Sequence, residues 1–71
     1  MRLPVISGQK LVKALLKHGY YIRSQKGSHI HLRHPWKPAL TIPNHKEIAR
    51  GTLKEIIKQS GLTREEFLDL L

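Results

Sequence analysis

The chain has 71 residues, with 13 Lys or Arg against 5 Asp or Glu and a formal net charge of +8. A chain of that length reads as one domain burying roughly 60% of its unfolded surface, which leaves no room for an enclosed cofactor. It has no cysteine, so disulfides and thiolate metal sites are excluded and a reducing compartment is expected. The charge is also segregated. Residues 1–46 hold nine Lys or Arg and no carboxylate, whereas residues 47–71 hold four bases and five acids. Two-thirds of a chain without one acid points to a polyanionic partner, although charge reports attraction and not chemistry. The N-terminus has no apolar run long enough for a signal peptide or a membrane span, so a soluble, cytoplasmic protein with no membrane partner is expected.

In chain order, Met1 to Ile6 form a short lead-in in which Pro4 opposes helix. Ser7 is suited to cap a helix over residues 8–18. Leu11, Val12, Leu15 and Leu16 fall on one stripe of it, with Lys10, Lys13 and Lys17 on the opposite side. Gly19 follows the last apolar position, where a left-handed stop is needed. A hairpin comes next, from residues 20–24 and 28–34, both rich in β-formers. A two-residue Lys26-Gly27 turn would put apolar and polar residues on one face, which a half-buried sheet does not tolerate. A three-residue loop, Gln25-Lys26-Gly27, instead pairs Ile22 with Ile30 and Tyr20 with Leu32 on the inner face. That register sets Arg23 opposite His29 and Tyr21 opposite His31 on the outer face.

Pro35 and Pro38 bracket Trp36 and Lys37 in the following connection. Residues 39–42 form a third strand with Leu40 and Ile42 inward, ended by Pro43. A loop over 43–51 carries Asn44, His45 and Lys46. A second helix covers residues 52–59, with Leu53, Ile56 and Ile57 apolar, and Ser60-Gly61 closes it. Thr63 and Glu66 form a capping box for a short last helix, with Leu62 and Phe67 in staple positions. The expected fold is α+β, in the order α-β-β-β-α. Helices cover one face of a three-stranded antiparallel sheet, the other face is open, and a short extra helix ends the chain. No internal repeat or linker divides residues 1–71.

Several of these residues together carry a resemblance to a known family. Ser7-Gly8 opens the first helix and His18-Gly19 closes it; Gly27-Ser28-His29 follows one strand. Pro43 with His45, and Gly51-Thr52-Leu53 before the second amphipathic helix, complete the pattern. Over roughly residues 6–71 the chain resembles the HicA toxins, the mRNA interferases of HicA–HicB toxin–antitoxin pairs. The resemblance implies a fold similar to a double-stranded RNA-binding domain. It further implies RNA cleavage dependent on His29 and neutralisation by a HicB antitoxin that covers the active face.

The chemistry can be read from the residues themselves. RNA is cut without a metal when a base removes the 2′-hydroxyl proton as that oxygen attacks the adjacent phosphorus. Imidazole titrates near neutrality, which suits His29 to that task. Arg23 and Lys26 nearby would favour its neutral, proton-accepting form and offset charge on the phosphorane-like transition state. RNA-binding candidates are Arg23, Lys26, Ser28, His31, His45, Lys10 and Lys13. His45 is expected near the positive end of the second helix. Tyr20 reads as core and Tyr21 as an outer-face residue able to stack on a base. Trp36, in a proline-framed loop, serves as a stacking platform or a partner anchor, or equally as a cap on the hairpin end. His29 and His31 share a face, but His34 has the other parity and no cysteine or carboxylate is close, so no metal site and no cofactor are expected. The alternative to an endoribonuclease is a non-catalytic basic RNA-binding module using the same surface.

Overall fold

The computed structural model describes residues 3–71; Met1 and Arg2 of the expected lead-in lie outside the described residues. Helix α1 spans Gly8–Lys17, with the Ser7 side chain accepting from the Lys10 N–H at 3.1 Å, and Gly19 at φ +100° turns the chain away. Strands β1 (Tyr21–Lys26), β2 (His29–Arg33) and β3 (Leu40–Pro43) form an antiparallel sheet in the order β1-β2-β3. Helix α2 (Arg50–Ser60) follows, starting two residues earlier than expected, and helix α3 (Arg64–Asp69) ends the fold. The expected capping box is present at α3. The Thr63 Oγ1 accepts from the Glu66 N–H at 3.1 Å, and Glu66 Oε1 accepts from the Thr63 N–H at 2.9 Å.

Both α1 and α2 pack against the sheet at β3. Ile30, Leu32, Leu40 and Ile42 are buried beneath them, with Leu11, Leu15, Leu53, Ile56 and Phe67 completing the core. These are the positions that alternate along β2 and β3 and recur at helical spacing in α1 and α2, so burial follows the apolar pattern. Ile6 of the lead-in joins them, its carbonyl accepting from the Ile48 N–H at 2.9 Å. Gly8 holds the first helix against the end of the third strand. Its N–H donates to the His45 carbonyl at 2.8 Å, and a Cβ here would run into the Pro43 carbonyl oxygen.

The hairpin differs from the expected one. The ladder pairs Lys26 with His29, Gln25 with Ile30, Ser24 with His31, Ile22 with Leu32 and Tyr21 with Arg33. The turn is therefore two residues, Gly27-Ser28, and not the three-residue loop. Gly27 takes φ +56° in the first turn position and Ser28 does not have a positive φ, the sign pattern of a type II′ turn. Arg23 is an unpaired bulge residue between Ile22 and Ser24. That one extra residue resolves the conflict of faces that argued against a two-residue connection, because it re-phases the strand in its middle. Ile22 pairs with Leu32, not Ile30; Arg23 opposes no residue, and Tyr21 faces Arg33 instead of His31. Tyr20 lies outside the strand but is buried as expected, its hydroxyl donating to the Pro38 carbonyl at 3.0 Å. Ile22 is a further correction. It points to the helical side, yet β1 is an edge strand that the helices do not reach across, and the side chain is 53% exposed.

Candidate nucleic-acid interface and active face

The outer face of the sheet is set by the alternation that buries Ile30 and Leu32. His29, His31 and Arg33 must then project the other way from β2. Cross-strand partners share a face, so Lys26, Ser24 and Tyr21 of β1 join them on one side, and Pro43 and Thr41 of β3 on the other. All five acidic residues lie at position 47 or beyond, in the loop before α2 and in the two C-terminal helices. The open face consequently carries cations and imidazoles with no carboxylate on its strands.

His29 opens β2 directly after the turn, is exposed, and sits between Lys26 on one neighbouring strand and Pro43 on the other. The turn is anchored from behind, since the Ser28 carbonyl accepts from the Asn44 N–H at 2.6 Å. His31 is two residues along the same face and half-buried. Its Nδ1 lies 3.3 Å from the Thr41 hydroxyl. A shallow depression around it is lined by Arg23, Lys26, Arg33 and Thr41. Such a surface can attract a phosphate chain and place imidazole nitrogens against it.

Of the expected site residues, the sheet brings together His29, His31, Lys26 and Ser28, with Arg23 joining through its bulge. It does not bring in Lys10 or Lys13, which are exposed on α1 in the helical layer. Lys17, on the same stripe, is tied down, its ammonium donating to the Leu70 carbonyl at 2.9 Å. His45 follows two residues after Pro43, the cross-strand partner of His29, and its neighbour Asn44 donates to the Ser28 carbonyl. It is placed against the start of α1, beside Ser7, Gln9 and Asn44, where its carbonyl accepts from the Gly8 N–H at 2.8 Å.

Arg33 and Thr41 also stand on this face and line the depression beside His31, and neither was among the expected site residues. The period of two running through His29 and His31 already points to Arg33, whereas Thr41 needs the β2–β3 pairing, which no local pattern supplies.

His34 has a structural role. The Trp36 backbone N–H donates to its Nδ1 at 3.3 Å, so its Nε2 carries the proton and donates to the His18 carbonyl at 3.2 Å. Its ring stacks edgewise on Tyr20 and Trp36 at centroid separations of 4.9 and 4.7 Å. Trp36 therefore does cap the hairpin end, and it remains 81% exposed. Among the described residues no group of three His, Cys, Asp or Glu is placed to hold a metal ion, and no helix is long and apolar enough to cross a membrane.

The fold and the face together define a small basic α+β protein with histidines on an uncovered sheet. Comparison with protein families matches residues 8–62 to the HicA toxin of bacterial toxin–antitoxin systems. The chain belongs to the HicA toxin family. Among solved structures it is similar to a chain of a toxin–antitoxin complex from Streptococcus pneumoniae, with 36% sequence identity and a TM-score of 0.71. The match covers 80% of this chain and 98% of that one. Comparison with curated proteins gave no match.

Proposed function

We propose that residues 1–71 act in the cytoplasm as one HicA-like endoribonuclease that cleaves mRNA, with His29 as general base, and that a HicB-type antitoxin holds it inactive by covering the open face. The observation that carries this reading is the position of His29. It is an exposed imidazole on a cationic sheet face whose strands bear no carboxylate, with Lys26 directly across the ladder. The neutral ring takes the 2′-hydroxyl proton, the 2′-oxygen attacks phosphorus, and the surrounding cations offset the charge that builds on the phosphoryl oxygens. No metal enters this scheme. Arg23, Lys26, Ser28, His31 and Arg33 hold the RNA backbone. The family assignment and the similarity to a chain from a toxin–antitoxin complex support the toxin role and the antitoxin partner.

The test is incubation of purified wild-type and His29→Ala protein with a defined RNA and its DNA counterpart, followed by mapping of product ends. Wild type should leave a 2′,3′-cyclic phosphate and a 5′-hydroxyl and spare DNA. His29→Ala should lose roughly a hundred-fold or more in cleavage while binding RNA like wild type. A 5′-phosphate end, or a His29→Ala protein as active as wild type, overturns the base assignment. RNA binding with no cleavage by wild type leaves the non-catalytic binding module.

A further inference from the structure

Transfer of a phosphoryl group from the 5′-oxygen to the 2′-oxygen needs a second proton movement besides the one assigned to His29. The departing 5′-oxygen leaves as an alkoxide unless it is protonated, so a base alone does half of the work. The outer face narrows the search for the acid. Its strands carry no carboxylate; apart from His29, its proton donors are Tyr21, Lys26, arginines, hydroxyls and His31. Of these only His31 is a second imidazole, the side chain whose two ring nitrogens can give as well as take a proton. His31 also has what His29 lacks among the described residues, a side-chain partner that orients its ring.

We propose that His31 is the general acid of the cleavage reaction and that Thr41 positions it. This rests on the ribonuclease reading above and completes it. Two residues of strand separate the rings on one face, about 6.6 Å of rise, which lets an acid and a base stand on either side of one phosphate. In protonated His31 the Nδ1–H donates to the Thr41 hydroxyl oxygen, 3.3 Å away. Nε2–H is then directed at the substrate. The 2′-hydroxyl proton passes to Nε2 of His29, and the 2′-oxygen forms its bond to phosphorus. The P–O5′ bond breaks with its electron pair on O5′, and O5′ takes the proton from Nε2 of His31. Net, one proton has moved from O2′ to O5′, and exchange with water resets both rings. Arg23, Lys26 and Arg33 line the same depression and hold the non-bridging oxygens.

The experiment separates the two roles by leaving-group chemistry. Single-turnover cleavage is measured for wild type, His29→Ala, His31→Ala and His31→Gln on a defined RNA. It is repeated on the same RNA with sulfur in place of the 5′-bridging oxygen at the scissile link. A thiolate leaves without protonation. Both His31 variants should be slowed roughly a hundred-fold or more on the oxygen substrate and restored to near wild-type rate on the sulfur substrate. His29→Ala should stay slow on both. Thr41→Val should be slowed on the oxygen substrate only. His31 variants as fast as wild type on the oxygen substrate, or equally slow on both substrates, overturn the proposal. A fully active His29→Ala protein beside impaired His31 variants removes the base assignment alone. Absence of cleavage by wild type removes both.

Discussion

His18 lies at the end of α1, partly shielded by the chain that follows it. Its imidazole is held below the ordinary histidine value, first by burial, then by the Lys37 ammonium and by His34, with Glu66 and the Ser60 backbone opposing them. The native state thus favours the neutral ring, and the unfolded chain takes up the proton first as pH falls. Stability contributed by His18 is complete above about pH 6.5, the ordinary imidazole value, and declines below it until the native ring protonates as well. Urea midpoints measured from about pH 8 to pH 5 should fall with this sign, and His18→Gln should flatten the slope. An unchanged slope would assign the pH response to other groups. His18 and His34 are thus spent on holding the hairpin to the end of α1, whereas His29 and His31 are left to the open face. The parity of β2 separates His34 from the other two in the sequence itself. The partners of His34 come from residues 18, 20 and 36, and their meeting depends on how the chain returns after the proline-framed connection.

The helices were legible for local reasons: Ser7, Thr63 and Glu66 form caps within three residues of themselves, and the apolar stripes of α1 and α2 repeat at helical spacing. Strand content was legible too, but the pairing of β1 was not. Alternation fixes a register only for a strand that is continuous in phase and covered on one side. Arg23 breaks the phase and Ile22 lies beyond the helices, so neither condition holds in residues 21–26. His29 was found in the sequence because a turn and a single strand place it. Thr41 was not, since its contact with His31 spans two strands. The junction of α1 with β3 gives a test at this scale. Gly8→Ala forces a methyl group onto the Pro43 backbone, which has no flexible end to yield. Overpacking of this kind costs about 1–3 kcal/mol. Thermal unfolding should show that loss, whereas Gly51→Ala, where a Cβ meets open space, should not.

On the scale of the whole molecule, the fold divides its work by charge. The N-terminal two-thirds supplies the helix and strands that bear the cationic face, and the C-terminal third, near electroneutral, supplies α2 and α3, which close the core from behind. Phe67 of α3 is fully buried among the core residues, so even this six-residue helix matters to the whole. A chain of this size has on the order of 4–10 kcal/mol of stability in all. Phe67→Ala should remove about 3–5 kcal/mol of it. Denaturant titration should find that variant largely unfolded or barely folded, and a loss under about 1 kcal/mol would show α3 to be dispensable. The unpaired arginine of the first strand has a consequence for tolerance to length change. Because the ladder skips it, excising that one position would leave 26 across from 29 and 24 across from 31, subtracting a cation without displacing either ring. Removing position 30 of the second strand would instead throw the two histidines out of step with each other and with their neighbours. Natural gain and loss of single residues should therefore be absorbed on one side of this hairpin and rejected on the other.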